Sequence, residues 1–214
     1  MFPFPVMLDL RGRQALVVGS DADAVARVER LVQAGASVRV LVAGEPPEAL
    51  CTLAEEGCVH IERRAARAED VDGMAVTFVA TSEEAQAPAL HARAVETGRL
   101  LCTVDRPELC TFINPAVVTA GPLSLAVSTG GASPALARRI REDLSSLFGD
   151  PRFVAWLSAL AEERAALPRG ERAARGAEAV RGFAIEGRLV LPGDAAAADS
   201  AAETQADREA PPRE

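Results

Sequence analysis

Asp105 ends the run Leu101-Cys102-Thr103-Val104-Asp105, and its type and place suit acid–base chemistry. If the apolar part is a buried parallel strand, the carboxylate stands at its C-terminal end, where open α/β sheets bind ligands. An aspartate after a strand can also simply satisfy a loop. A second constellation is the turn Ser128-Thr129-Gly130-Gly131-Ala132-Ser133-Pro134. Ser133 is a good N-cap and Pro134 suits the first helical position, so a helix should begin there and carry Arg138, Arg139 and Arg141. Free N–H groups at that helix start, with Gly130 and Gly131 permitting close approach, offer a pocket for a carboxylate or phosphate.

A third candidate is the loop Gly19-Ser20-Asp21-Ala22-Asp23-Ala24, in register with the dinucleotide-binding fingerprint. Its first glycine and last small residue are present, but the middle glycine, which lets backbone approach a pyrophosphate, is Asp21. Asp21 either meets the cofactor or caps the following helix. The acidic residue that would grip a ribose has Glu45 as its candidate, just past Ala43-Gly44. The cofactor loop is therefore read as Gly19, Ser20, Asp21, Ala22 and Asp23, with Ala43 and Gly44 at the second strand's end.

These residues need a scaffold. Gln14–Val18 reads as a strand, followed by a helical pattern (Ala24, Val28, Leu31, Val32) closed by Gly35, then a β-branched strand over 37–42. A helix over 47–57, strands over 59–63, 74–80 and 99–104, and a helix over 83–97 continue the alternation, which favours a parallel sheet. Pro88 is tolerable only in that last helix's first turn. Beyond Asp105 the rhythm changes. Residues 116–120 and 123–128 flank Gly121-Pro122 and predict a hairpin; helices over 134–147 and 153–167 follow, with helical character to Val180. Residues 183–191 suit a small strand or loose packing. The Ala-, Asp-, Glu- and Pro-rich end from 192 lacks apolar periodicity and predicts disorder.

Composition excludes several classes. The chain has 214 residues, 49% of them hydrophobic, and a formal charge of -8, yet no apolar run approaches a membrane span. No basic stripe or aromatic platform points to nucleic acid. Cysteines 51, 58, 102 and 110 form no CxxC pair, which argues against a zinc site or disulfide framework, and no metal site is assigned. The opening Met1-Phe2-Pro3-Phe4-Pro5-Val6-Met7 lacks a basic flank and is not read as a secretory signal. A cytoplasmic protein is expected.

Taken together, the motifs resemble the precorrin-2 dehydrogenase and sirohydrochlorin ferrochelatase part of siroheme synthase. The likeness runs through Phe4-Pro5-Val6, Leu10-Arg11-Gly12-Arg13, Val17-Val18-Gly19, Ala34-Gly35-Ala36, Ala80-Thr81, Val104-Asp105, Phe112-Ile113-Asn114-Pro115 and the Ser128–Pro134 turn. It implies a Rossmann-like NAD-binding domain over 1–113, a small α+β dimerisation lobe over 114–150, a helical C-terminal lobe over 151–191 and an acidic tail over 192–214. It further implies a homodimer that oxidises precorrin-2 to sirohydrochlorin with NAD, with ferrous iron insertion in some members. The family's aspartate maps to Asp105 and its turn serine to Ser128. Thr129, Gly130, Gly131, Ser133, Asn114 and Arg138 are then candidate contacts to the tetrapyrrole's carboxylates, and Thr81 joins the cofactor set. The sequence departs from the family pattern at Asp21, at Ala26-Arg27 where a basic pair is common, and at Ala87 and Cys102 where asparagines are common. Two alternatives stay open: a chelatase that has lost oxidation, and a non-catalytic dinucleotide- or tetrapyrrole-binding module.

Overall fold

The computed structural model describes residues 4–186, apart from the side chains of 81, 82 and 84. Strands β1 (Gln14–Val18), β2 (Ser37–Val42), β3 (Val59–Arg63), β4 (Val76–Val79) and β5 (Leu101–Thr103) form one parallel sheet in the order β3-β2-β1-β4-β5. Helices α1 (Ala22–Gln33), α2 (Glu48–Glu55) and α3 (Ala87–Thr97) connect them, giving the Rossmann-like α/β fold that the alternation implies. Both faces of the sheet are covered. Val17, Val40 and Phe78 pack with Val28 and Leu50 on one face, while Leu16, Val18, Leu41 and Leu101 pack with Leu90 and Ala94 on the other. Burial on both sides explains why these strands read as continuous apolar runs rather than alternating ones.

The elements match the sequence reading with local differences. The helix expected from 83 begins as an α-helix only at Ala87, after a 3-10 turn over Thr81–Gln86. Pro88 lacks the N–H that an earlier start would require, so it sits in the first turn. After Asp105, β6 (Ala116–Ala120) and β7 (Leu123–Val127) pair antiparallel around Gly121, whose φ of 55° suits glycine. Val118 and Ala120 are buried on the side of α4 (Pro134–Phe148). Helices α5 (Pro151–Ala166) and α6 (Arg172–Ala179) follow, and the gap between them coincides with Pro168, which cannot continue a helix.

The described residues fall into two compact units, divided within α5 between Val154 and Ala155. In the first, the Phe148 and Phe153 rings lie 5.2 Å apart. In the second, Phe183 stacks on Trp156 at 5.3 Å. The expectations for 187–191 and for the tail over 192–214 fall outside the described residues. No described helix is long and apolar enough to cross a membrane.

An ionic clasp ties the loop after β3 to the sheet. Asp70 accepts from Arg39 at 2.9 Å, from Arg64 at 2.7 and 2.8 Å, and from the Arg67 N–H at 2.8 Å. The hydrogen-bonded Arg64 guanidinium, helped by the Arg67 N–H, holds the Asp70 carboxyl below its ordinary value of 3.8. A depressed folded pKa stabilises the fold above the unfolded value, and that contribution is lost as pH falls through the folded one. Asp70→Asn therefore costs about 1–2 kcal/mol at neutral pH, since charge-assisted bonds are weakened. Urea unfolding of both proteins at pH 7 and below pH 3 should show the difference shrinking in acid. A second test concerns Thr77, fully buried on β4 with a hydroxyl that has no hydrogen-bond partner among the described residues. Thr77→Val removes the stranded group and should raise stability by about 1 kcal/mol, or roughly 2–4 °C in Tm by thermal denaturation.

Candidate active site at the carboxyl edge of the sheet

Four candidate segments follow directly on β1, β2, β4 and β5, and parallel strands place all four along one edge. They are Gly19–Asp23, Ala43-Gly44, Thr81 and the Asp105 turn. The order β3-β2-β1-β4-β5 reverses direction between β1 and β4, the switch point where doubly wound sheets open a ligand crevice.

Gly19 has a φ of 125° and donates its N–H to Leu41 O at 2.9 Å, so the loop after β1 is fastened to β2 in a conformation that only glycine adopts freely. Asp21 is the N-cap of α1. Its Oδ1 accepts the Ala24 N–H at 2.9 Å, and its carbonyl accepts the Val25 N–H at 3.1 Å. The carboxylate thus takes a donor at the very helix end that would otherwise face a pyrophosphate. Ser20 is half-buried, whereas Ala22 and Asp23 are exposed on the first turn. The loop fits a dinucleotide at Gly19 and opposes it at Asp21. Ala43 and Gly44 are exposed, and Glu45 pairs with Arg63 at 3.0 Å. Thr81 opens the 3-10 turn, and its side chain lies outside those described.

Asp105 is the one non-glycine residue with positive φ, 58°, among the described residues. The Arg106 N–H donates to Thr103 O at 3.3 Å, closing a β-turn with Asp105 at its third position, and the Val104 N–H donates to Val79 O at 2.9 Å. Left-handed backbone at a non-glycine residue costs about 1 kcal/mol or more and tends to persist at functional sites. The side chain is exposed. Arg106, the neighbouring cation, pairs with Glu108 on the same turn. The turn's floor is sulfur. Cys110 Sγ accepts the Thr103 N–H at 3.2 Å and lies 3.7 Å from Cys102 Sγ. Burial foremost, with Cys110 beside it, pushes the Cys102 thiol up to about 12.

The serine turn is held by its own hydroxyls. Ser128 Oγ accepts the Gly130 N–H at 3.2 Å, Thr129 Oγ1 bonds both Ser133 O and Ser133 N at 3.1 Å, and Ser133 Oγ caps α4 through the Leu136 N–H at 3.1 Å. Nothing lies within 4 Å of where a Cβ would stand on Gly130 or Gly131, so φ values of 63° and 89°, not crowding, call for glycine there. That openness lets a ligand approach the backbone, although the Leu136 and Gly130 N–H groups already have partners. Arg138 pairs with Glu142 at 2.9 Å, Arg139 with Asp143 at 3.0 Å, and Arg141 with Glu142 at 3.2 Å, a solvated helical face.

Asn114 is not at the sheet edge. With its amide oxygen turned toward α1, it accepts from Arg27 Nη1 and Nη2 at 2.6 and 2.8 Å. The Arg27 guanidinium carbon lies 5.2 Å from the centre of the Phe78 ring, which meets Phe112 edge-on at 5.7 Å. Burial, then the Arg30 charge, lowers the Arg27 pKa from the ordinary arginine range. A cleft of about 440 Å³ opens beside them, lined also by Arg30, Val117 and Ser124. Sequence reasoning treated Arg27 only as a departure from a basic pair. Its spacing along α1 gave no sign that it anchors the segment leading out of the sheet.

Comparison with known proteins places this geometry. Residues 6–116 match the family model described as "Putative NAD(P)-binding", and residues 120–147 match the sirohaem biosynthesis protein central model. Siroheme synthase of Methylococcus capsulatus is 37% identical over 137 residues, which cover 64% of this chain and 29% of that one. Siroheme synthase of Pseudomonas entomophila is 39% identical over 142 residues, covering 66% and 30%. The chain thus spans about a third of the length of the siroheme synthases it matches. Among solved structures, SirC, a precorrin-2 dehydrogenase, superposes with a TM-score of 0.68 at 29% identity, covering 82% of this chain and 88% of that one. With more than half of its length under the first model, the chain belongs to that putative NAD(P)-binding family, and the match to the sirohaem central model lies directly behind it.

Proposed function

We propose that this chain is an NAD-dependent precorrin-2 dehydrogenase, converting precorrin-2 to sirohydrochlorin. The observation that carries this reading is Asp105: an exposed carboxylate held in left-handed backbone at the carboxyl edge of a sheet whose fold is like that of SirC. The oxidation removes a hydride and a proton from the macrocycle. NAD, when bound, supplies the hydride acceptor. Asp105 takes the proton, acting as general base. Gly19 brings backbone close to the dinucleotide, and the Ser128–Ser133 turn, stiffened by its own hydroxyls, receives a peripheral carboxylate of the tetrapyrrole at Thr129, Gly130 and Gly131. Arg138 can exchange Glu142 for another such carboxylate. Asn114, held by Arg27, fixes the path from the sheet to residues 114–150, which in this reading form the dimerisation lobe of a cytoplasmic homodimer.

Incubating the pure chain with precorrin-2 and NAD tests this directly. The sirohydrochlorin absorbance and NADH should appear together in equal amounts, and the absence of both under anaerobic conditions overturns the assignment.

One observation favours a second reading, a chelatase that inserts ferrous iron without oxidising the ring. Asp21 sets a negative charge at the α1 N-terminus and occupies its Ala24 N–H. Metallation releases two pyrrole protons, so Asp105 would serve again as base, with iron as substrate. Iron insertion into supplied sirohydrochlorin, with no NAD binding by calorimetry, separates this reading from the first.

A further inference from the structure

Cys102 and Cys110 are absorbed neither by cofactor nor by substrate binding, yet they bracket the turn that carries Asp105. The segment after that turn runs back beside β5: the Thr111 N–H donates to Leu101 O, and the Leu101 N–H to Thr111 Oγ1, both at 2.8 Å. These two bonds set Cys110 alongside Cys102 with the sulfurs 3.7 Å apart. Cys110 Sγ is also wired into the turn, with the Thr103 N–H at 3.2 Å and the carbonyls of Thr103 and Arg106 each at 3.3 Å. Cys102 is buried and Cys110 half-buried. Neither Cys51 nor Cys58 has a cysteine partner among the described contacts.

We propose that Cys102 and Cys110 form a peroxide-oxidisable dithiol, and that its disulfide withdraws the sulfur contacts holding the Asp105 turn and so switches the site off. The functional half of this inference rests on the dehydrogenase reading; the chemical half does not. Cys110, the more accessible sulfur, gives up its proton and attacks one peroxide oxygen. The O–O bond breaks, water leaves, and Cys110 becomes a sulfenic acid. Cys102 sulfur then attacks that sulfur, forming the S–S bond while its proton and the sulfenic hydroxyl leave as a second water. Two thiols lose two electrons and peroxide is reduced to two waters. Bonding draws the sulfurs from 3.7 Å to about 2.05 Å, and the bonded Cys110 sulfur, having lost its proton, can no longer donate to Thr103 O or Arg106 O. A dithiol reductant reverses it by exchange.

The test uses the full chain treated with hydrogen peroxide and then with dithiothreitol. Peptide mapping should find a Cys102–Cys110 crosslink. Hydrogen exchange should show faster exchange for amides 103–110, and precorrin-2 oxidation should fall about tenfold to a hundredfold, since small misplacements of a reacting group are that costly. All three should revert on reduction. Cys102→Ala, which leaves the Cys110 contacts to the turn in place, should show neither crosslink nor faster exchange. A peroxide-treated wild type with singly oxidised Cys110 and no crosslink overturns the proposal, as does a crosslink that changes neither exchange nor rate. If the reduced protein has no dehydrogenase activity, the dehydrogenase reading is what fails, and the crosslink with its exchange signature still decides the dithiol chemistry.

Discussion

In the proposed dehydrogenase, Asp105→Asn is expected to slow precorrin-2 oxidation by about 10²–10⁴-fold, the range over which a positioned general base contributes. Asparagine is the informative replacement because it tolerates left-handed backbone at least as well as aspartate. The turn closed by the Arg106 N–H to Thr103 O bond and fastened by the Val104 N–H to Val79 O bond should therefore survive, and only the proton acceptor is lost. Tm should stay close to that of the wild type. Asp105→Ala adds about 1 kcal/mol of backbone strain and should both inactivate and destabilise. The measurement is single-turnover formation of sirohydrochlorin at saturating NAD, so that the loss is read in the chemical step. An asparagine variant that keeps more than about a tenth of the rate would move the base elsewhere, because a positioned general base typically contributes about a hundredfold or more.

Asp21→Gly tightens NAD binding by roughly tenfold to a hundredfold. At an effective dielectric of about 20, two unit charges some 5 Å apart repel by about 3 kcal/mol, which counterions and water reduce to about 1.5–3 kcal/mol. The substitution also frees the Ala24 N–H, now bonded to Asp21 Oδ1 at 2.9 Å, for a phosphate oxygen. The lost cap costs only a few tenths of a kcal/mol, since glycine is itself tolerated at the N-cap. Titration calorimetry at low and moderate salt should show a gain that is larger at low salt, as screening demands. An affinity that stays the same at both ionic strengths would mean that the dinucleotide's phosphates do not pass over the start of α1. The same variant bears on the chelatase reading, because a chain restored to strong NAD binding should gain oxidation where the parent shows only metal insertion.

Much of this molecule is legible in one dimension. Continuous apolar runs such as Gln14–Val18 and Val76–Val79 alternate with helical patterns, and burial on both faces leaves a parallel sheet as the consistent arrangement. Gly19, Ser133 and Pro134 announce their places because backbone conformation at a turn or cap is a local property. Asp21 shows the limit: sequence spacing admits both a cofactor role and a cap, and only the Oδ1 bond to the Ala24 N–H shows that the cap is made.

The sequence by itself determined the sheet, the order of its elements and the sites at which glycine, proline and capping residues are required, because each follows from periodicity or from the preferences of a few adjacent residues. Tertiary structure alone decided that Arg27 both bonds Asn114 and lies over Phe78, that Asp70 gathers Arg39 and Arg64, and that Cys110 lies against Cys102. Those partners are brought together by crossovers and turns. Contacts between residues distant along the chain leave no periodic trace, since their energy depends on where packed elements cross rather than on what stands next in line.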